Sequence, residues 1–218
     1  TVILRDVDME IGKGKVIALM GRNGVGKTTL LKTAMGIIRP VSGKVSFDHM
    51  DITGLSPDKR AINGIGYVPQ GRDIFPHLTV HENLIIGLEA RGKKKSGIPE
   101  GVFGLFPSLK TLLNRRGGDL SGGQQQQLAI ARVLITEPRL LLLDEPTEGI
   151  QPSIVFEIEN AIRFIKEQGD ISILLVEQFM EFALRLADFC YIMQKGAIVF
   201  KGAVKDINKE DIKNHLAI

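Results

Sequence analysis

The stretch of residues 15–37, KVIALMGRNGVGKTTLLKTAMGI, limits most strongly what this chain can fold into. Its apolar, β-branched start (15–20) predicts a buried strand, and its end predicts a helix. The loop between them, GRNGVGKT (21–28), matches a phosphate-binding pattern in which glycines let successive backbone N–H groups face an anion. A plain glycine-rich turn between strand and helix is the alternative. The sequence therefore predicts a phosphate site where this strand meets its helix.

The same loop carries side chains suited to a nucleotide and its metal ion. Lys27 adds a mobile positive charge, the hydroxyl of Thr28 can ligate Mg²⁺, and the next helix presents its positive dipole end to the phosphates. We therefore predict ATP and Mg²⁺ as cofactors. The predicted nucleotide-binding residues of the loop are Gly21, Arg22, Asn23, Gly24, Val25, Gly26, Lys27, Thr28 and Thr29.

Two carboxylates follow the leucine-rich run RLLLLDEP (139–146). The run is apolar at both odd and even positions, which predicts a central strand covered on both faces. Because ligands bind at the carboxyl edge of a parallel sheet, Asp144 would hold Mg²⁺ directly or through water. Glu145 would accept a proton from the attacking water or orient it. Acidic residues often merely end strands, so the pair gains its meaning from the phosphate loop upstream.

The stretch LSGGQ (120–124) predicts a second anion site at the start of another helix. Its predicted nucleotide-binding residues are Ser121, Gly122, Gly123 and Gln124. A single nucleotide needs only one loop of this kind. The economical explanation is a dimer in which each ATP lies between the Lys27 loop of one chain and the Ser121 loop of the other. An ordinary helix N-cap with a glycine turn is the alternative.

The remaining pattern predicts an α/β fold with a mostly parallel core sheet flanked by helices. Residues 43–54 predict a small antiparallel element, and a Thr79…Glu82 capping box opens a helix. We expect one domain over 1–218, with a core formed by 1–74 and 137–218 and an inserted helical subdomain at about 75–136. Further strands are predicted near residue 1, at 64–70 and at 171–178, and a hairpin is predicted to turn at Lys195-Gly196. Helices are predicted at 102–113 and 204–217.

Composition excludes several other classes of protein. The 218 residues are 44% hydrophobic and 24% charged, a balance typical of a soluble globular domain. The mild net charge of +3 says little about nucleic-acid binding. A lone cysteine, Cys190, excludes an internal disulfide and fits a reducing compartment. The basic run at 93–95 is expected to lie in a solvated loop. No apolar run approaches the roughly 20 residues that span a bilayer.

With these motifs, the chain resembles an ATP-binding-cassette (ABC) ATPase over essentially its full length. GRNGVGKTT is similar to the Walker A motif of that family, YVPQ to its Q-loop, LSGGQ to its signature and LLLLDEP to its Walker B motif. Within the family, residues 64–84 and 141–155 resemble import subunits for branched-chain amino acids. They resemble still more closely the subunits that serve urea and short amides.

The resemblance implies further roles and partners. Gln70 would touch Mg²⁺ or the attacking water and link to the helical subdomain, which would carry the groove for the membrane subunits. The implied partners are a second ABC ATPase subunit, two transmembrane permease subunits and, indirectly, a solute-binding protein, with no nucleic acid. The chain would be cytoplasmic and peripheral on the inner face of the plasma membrane. An adenine-stacking aromatic residue is expected just before Thr1, in an N-terminal segment that this sequence would lack.

The chain departs from the family pattern in two places. The D-loop reads Glu148-Gly149-Ile150-Gln151 where the family often has Ser-Ala-Leu-Asp, and Gln178 occupies the place of the switch histidine. Gln178 is neutral, and a charged donor is generally worth more. We hypothesise slower hydrolysis at this chain's own Lys27 site and an asymmetric heterodimer in the cell; the alternative is that glutamine suffices.

Three residues are therefore predicted to be catalytic, and three to hold the metal. The catalytic residues are Glu145, Gln70 and Gln178, and the metal ligands are Thr28, Gln70 and Asp144. The function predicted is that of a transport ATPase for urea, short amides or branched-chain amino acids. A soluble ABC ATPase of repair or translation and a nucleotide sensor with little turnover are the alternatives. The transported solute is not encoded in these motifs.

Overall fold

A computed structural model describes residues 2–89 and 97–217 of the chain. Its strands are β1 (Val16–Met20), β2 (Ser46–Phe47), β3 (Met50–Asp51), β4 (Ile65–Val68), β5 (Leu140–Asp144), β6 (Ser172–Glu177), β7 (Phe189–Gln194) and β8 (Ala197–Ala203). Its helices are α1 (Lys27–Met35), α2 (Pro57–Ile62), α3 (Val80–Glu89), α4 (Glu100–Leu105), α5 (Pro107–Thr111), α6 (Gly122–Leu134), α7 (Pro152–Gln168), α8 (Met180–Leu186) and α9 (Lys209–Ala217). The basic run at 93–95 lies outside the described residues.

Six strands form one sheet in the order β4-β5-β6-β1-β7-β8. All neighbouring pairs are parallel except β7 and β8, which form the hairpin expected at Lys195-Gly196. Both turn residues have positive φ, as a two-residue hairpin loop requires. β2 and β3 form the separate antiparallel element. The predicted fold class is confirmed, and the carboxyl ends of β1, β4, β5 and β6 meet at one edge of the sheet.

The core consists of two apolar layers, one on each face of the sheet. Every residue of β1 is buried, and its side chains alternate between the layers. Ala18 packs in the layer that contains α6, α7 and α8, whereas Leu19 packs with α1. Covered faces on both sides explain why β1, β5 and β6 are apolar without alternation. Across 2–89 and 97–217, no helix has both the length and the apolar character needed to cross a membrane.

Three predicted elements differ from the structure. The strand expected near residue 1 is wrong, because residues 2–15 contain no strand; Asp6 has a φ of 46°, which interrupts an extended run. The helix expected over 102–113 is divided into α4 and α5 at Phe106, since the following Pro107 disfavours helical backbone before it. The tail forms a short 3₁₀ turn at Val204–Asp206, and α9 begins only at Lys209.

The helix that follows the phosphate loop is anchored at its far end by a buried arginine. Arg60 of α2 is 1% exposed and donates from Nη1 to the carbonyls of Thr33 (2.8 Å) and Ala34 (2.7 Å). These carbonyls lie in the last turn of α1, where the helix dipole favours a positive charge. Gly36, with a φ of 83°, ends the helix beside this guanidinium. Arg60 therefore fixes α1 from the end opposite the phosphate loop.

A buried carboxylate joins two helices behind the sheet. Glu159 of α7 receives hydrogen bonds from Arg185 of α8 at 2.8–3.2 Å and from Arg163 at 2.9 Å. The hydrogen bonds from Arg185 are the main reason why the pKa of Glu159 lies below its ordinary value of 4.5. The ionised form is therefore favoured in the folded protein.

Replacing Glu159 with glutamine tests this link. Because both arginines are about half exposed, water screens the pairs, and we expect Glu159→Gln to lower the free energy of unfolding by about 1 kcal/mol at pH 7. Because the pKa of Glu159 is lower in the folded than in the unfolded state, its ionised form stabilises the fold at pH values above the unfolded-state pKa. This stabilisation is lost as the pH falls through the folded-state pKa. The difference in free energy of unfolding between the variant and the unaltered chain should therefore shrink below about pH 4.5. Urea unfolding across this range measures it. Glu167→Gln, an exposed acid on the same helix, is the control, and an equal loss at every pH would contradict the link.

Candidate nucleotide-binding site

The predicted phosphate loop lies between β1 and α1 at the carboxyl edge of the sheet. Gly26 caps α1 with a φ of 113°, and Gly24 has a φ of 78°. Both values lie in the region that glycine enters freely, so the loop wraps around the start of the helix. A Cβ on Gly21 would lie 2.5 Å from the carbonyl oxygen of Met193. Glycine is therefore required at Gly21 by close packing and at the other two positions by backbone conformation.

Lys27 folds back over this loop and pairs with Glu145. Its Nζ donates to the carbonyls of Gly21 (2.7 Å) and Arg22 (2.9 Å) and lies 3.1 Å from Oε1 of Glu145. Both charged side chains are 4% exposed. Glu145 also has a φ of 49°, a strained conformation for a residue other than glycine. Strain of this kind at the end of a central strand is typical of functional sites.

Thr28 and Asp144 come together as predicted. Thr28 Oγ1 donates to Oδ1 of Asp144 at 3.3 Å, and the hydroxyl of Tyr67 donates to its other oxygen at 3.3 Å. Burial is the main cause of the raised pKa of Asp144, and burial likewise raises the pKa of Tyr67. A hydroxyl beside a carboxylate is a set of hard oxygen ligands that fits Mg²⁺. Tyr67 was not predicted as a site residue, although its position near the end of β4 places it at the same carboxyl edge of the sheet as Asp144.

Two glutamine amides converge on the second carboxylate. Gln178 donates from Nε2 to Oε2 of Glu145 at 2.6 Å, and Nε2 of Gln70 lies 3.5 Å from the same oxygen. Gln70 makes a shorter hydrogen bond, of 2.7 Å, to Oε2 of Glu148. Gln70 and Gln178 therefore both contact Glu145, although the three residues predicted to be catalytic are far apart in the chain.

A buried carboxylate behind this group was not predicted. Glu177, 1% exposed at the end of β6, accepts hydrogen bonds from Thr147 through its N–H (3.2 Å) and its hydroxyl (2.8 Å). It also accepts one from the N–H of Gln178 at 3.2 Å, and burial raises its pKa. Glu177 thus joins the segment after Glu145 to the residue that contacts Glu145. The only signal in the sequence was its position beside Gln178.

The phosphate loop, Gln70 and Glu145 line an open cleft of about 410 Å³. Among the described residues, its lining is Ile3, Asn23, Gly24, Gly26, Lys27, Thr28, Thr29, Gln70 and Glu145. Ile3 was not predicted, and it adds an apolar group beside the phosphate loop. The side chain of Val25, by contrast, packs against the apolar core. The cleft therefore combines backbone N–H donors, one ammonium group and metal-binding oxygens, a combination that suits a nucleoside triphosphate.

The predicted second anion site, at Ser121, has the geometry of a helix cap. Ser121 caps α6 through a reciprocal pair of hydrogen bonds: its Oγ accepts from the N–H of Gln124 (3.3 Å), and the Gln124 side chain accepts from the N–H of Ser121 (3.0 Å). This is a complete capping box. Gly123 packs so closely on Ile154 that a Cβ would lie 2.8 Å from it. The N-cap alternative therefore describes the local geometry, and this loop does not line the cleft in the described part of the chain.

The fold and the cleft define a phosphate-loop nucleotide-binding protein. Residues 4–148 match the ABC transporter family. The chain belongs to this family, and it is an ATPase. The resemblance to this family that the sequence predicted is therefore confirmed.

Relatives of known name agree with this assignment. The high-affinity branched-chain amino acid transport ATP-binding protein BraG of Pseudomonas aeruginosa is 41% identical over 197 residues, 90% of this chain and 84% of that protein. The probable branched-chain amino acid transport ATP-binding protein LivF of Archaeoglobus fulgidus is 38% identical over 94% of this chain and 87% of that protein. The molybdate/tungstate import ATP-binding protein WtpC of the same organism is 37% identical, with coverages of 93% and 82%.

A solved structure has the same fold. A nucleotide-free ATP-binding cassette from an ABC transporter superposes with a TM-score of 0.81 at 30% identity, covering 99% of this chain and 89% of that one. The chain therefore has the fold of an ABC transporter cassette.

Proposed function

We propose that the chain is the ATP-binding and hydrolysing subunit of an ABC importer. The observation that carries the proposal is the buried contact between Lys27 and Glu145 in a cleft that also contains Thr28 and Gln70. In this proposal ATP closes a pair of cassettes, and hydrolysis reopens it. Closure moves two transmembrane permease subunits because ATP binds the closed state more tightly than the open one.

Each group in the cleft has a proposed part in hydrolysis. The N–H groups of residues 21–29 and the ammonium of Lys27 bind the phosphates, and Glu145 orients the attacking water and takes its proton. Thr28, Asp144 and Gln70 would hold Mg²⁺, which neutralises negative charge on the phosphates when bound. Gln178 holds Glu145 in place through its 2.6 Å hydrogen bond. ATP must compete with Glu145 for Lys27, so nucleotide binding frees the carboxylate for its proposed role.

We further propose that each ATP lies between two chains. The Ser121 loop begins a helix of 13 residues and lies outside the cleft of its own chain. A helix start rich in glycine N–H groups favours an anion, and a neighbouring cassette would supply that anion as the phosphates of its bound ATP. The neighbour is a second ABC ATPase subunit, and no nucleic acid takes part.

Replacing Ser121 with aspartate separates this arrangement from a plain helix cap. Aspartate caps helices as well as serine does, so the stability of the fold and the ATP affinity of the isolated chain should not change. Its negative charge would repel the phosphates of the facing chain, and we expect ATP turnover in the complete importer to fall about 100-fold. Unchanged turnover in Ser121→Asp would refute the two-chain site.

The helices between β4 and β5 are the proposed contact with the permease subunits. We propose that residues of about 75–136 form a subdomain that holds a groove for them, with the rest of the chain forming the core. The chain would then lie on the inner face of the plasma membrane, and a solute-binding protein would act with the importer indirectly.

Branched-chain amino acids are the proposed cargo, with urea and short amides as the second candidate. The first is supported by the names of two relatives that match more than 80% of their own length. The second is supported by the resemblance of residues 141–155 to the subunits for urea. A relative of nearly equal identity is named for molybdate and tungstate, so cargo is set mainly outside the cassette.

Uptake by whole cells distinguishes the two candidates. Cells that lack this chain should lose high-affinity uptake of labelled leucine, isoleucine and valine, and the intact chain should restore it. Lys27→Ala, which removes the ammonium from the phosphate loop, should fail to restore it. Loss of urea uptake with normal leucine uptake would assign the second candidate instead.

Gln178 supports a further proposal about rate. Its amide reaches Glu145 but stays neutral at every pH, whereas a histidine in this place could carry a charge. We propose that hydrolysis at this chain's Lys27 site is slow and that its partner cassette carries the faster site, which gives an asymmetric heterodimer. A nucleotide sensor with little turnover is the limiting case of the same idea.

Restoring a histidine tests this proposal directly. Because a charged donor is worth roughly twice a neutral one, Gln178→His should raise ATP turnover of the complete importer several-fold. Gln178→Ala serves as the control, since it removes the contact with Glu145 without adding a charge, and it should lower turnover. A rate in Gln178→His that is equal to or below that of the unaltered chain would show that glutamine suffices.

A further inference from the structure

The side-chain amide of Gln70 faces two groups that can only accept hydrogen bonds. Its Nε2 lies 2.7 Å from the carboxylate of Glu148 and 3.5 Å from that of Glu145. Ionised carboxylates offer no donor, so only the NH₂ end of the amide fits against them. The carbonyl end, Oε1, must therefore point away from both carboxylates.

Glu148 makes the shorter of the two contacts. Glu145 is already engaged by Lys27 at 3.1 Å and by Gln178 at 2.6 Å. A tight turn brings Glu148 to Gln70: its N–H donates to the carbonyl of Glu145 at 3.2 Å, and Glu145 has the left-handed φ of 49°. The backbone conformation at the end of β5 therefore delivers a second carboxylate to Gln70.

We propose that Glu148 is a positioning residue that fixes which end of the Gln70 amide faces the metal. With Nε2 held by Glu148, Oε1 is the atom that remains for Mg²⁺, which binds amide oxygens and not amide nitrogens. The inference rests on the proposed role of Gln70 as a metal ligand. Residues that orient a metal ligand commonly set metal affinity although they never touch the ion.

Glu148→Gln removes this preference with little change of shape. A glutamine at that position can accept from Gln70 or donate to it, so both orientations of the Gln70 amide become possible. The contact is exposed to solvent, which limits its strength. We expect Glu148→Gln to weaken metal binding about fivefold.

The experiment measures metal binding directly on the intact chain. The protein is saturated with a non-hydrolysable imido analogue of ATP and titrated with Mn²⁺ in place of Mg²⁺, and free Mn²⁺ is followed by its EPR signal. Gln70→Ala should weaken Mn²⁺ binding about tenfold or more, and Glu148→Gln about fivefold. In the Gln70→Ala background, Glu148→Gln should have no further effect, because its only route to the metal is gone.

Asp73→Asn is the matched control for charge. Asp73 is an exposed acid three residues after Gln70, and its charge acts on Tyr67 of the site. In the described part of the chain it makes no side-chain hydrogen bond to Gln70. Its φ of 47° also suits asparagine. A loss in Asp73→Asn as large as that in Glu148→Gln, or an equal effect of Glu148→Gln with and without Gln70, would assign the effect to charge and overturn the inference.

Two outcomes separate this inference from the function on which it rests. If Gln70→Ala weakens Mn²⁺ binding and Glu148→Gln does not, Glu148 has no positioning role while the proposed function stands. If Gln70→Ala leaves Mn²⁺ binding unchanged, the proposed role of Gln70 as a ligand is itself refuted, and the role of Glu148 with it.

Discussion

The buried ion pair between Lys27 and Glu145 is the contact on which the geometry of the site depends. Both side chains are almost fully removed from water, and such a pair is costly unless further hydrogen bonds compensate its charges. The carbonyls of Gly21 and Arg22 accept hydrogen bonds from the ammonium of Lys27, and the side-chain amide of Gln178 donates one to the carboxylate of Glu145. The phosphate loop and the ends of β5 and β6, which strand pairing brings together, are therefore linked by this ion pair and the hydrogen bonds around it.

The same pair explains how one cleft can respond to nucleotide. In the proposed function, phosphate binds where the ammonium of Lys27 lies, so it would compete with Glu145 for the same cation. Displacing the carboxylate from Lys27 would leave it, among the side-chain contacts of the described residues, with the neutral amides of Gln178 and Gln70, and its backbone conformation is strained. A strained, uncompensated carboxylate next to the phosphates is a suitable base for water. Glu148 supports this exchange by accepting from the side-chain amide of Gln70, and Glu177 supports it by accepting from the backbone N–H of Gln178 and from Thr147.

Much of the site followed from short local patterns. The phosphate loop, Asp144-Glu145 and the Ser121 cap were each recognisable because loop conformation and helix capping depend on residues that are neighbours in the chain. Arg60, Tyr67 and Glu177 escaped prediction because each acts through a partner 27 to 77 residues away. The strand expected near residue 1 failed for a similar reason: β-branched residues favour extended backbone, but strand pairing depends on neighbours that the local pattern does not reveal.

The sequence by itself determined the family, the strand–loop–helix unit and the chemistry of each motif, since glycine conformation, side-chain charge and apolar periodicity are local properties. Only the tertiary structure decided which motifs meet. The strand order β4-β5-β6-β1 brings Gln70, Glu145, Gln178 and Lys27 to one edge of the sheet. Ser121 starts a separate helix and does not line the cleft in the described part of the chain. Parallel strands align their carboxyl ends whatever the length of chain between them, so proximity at the site follows from hydrogen bonding between strands.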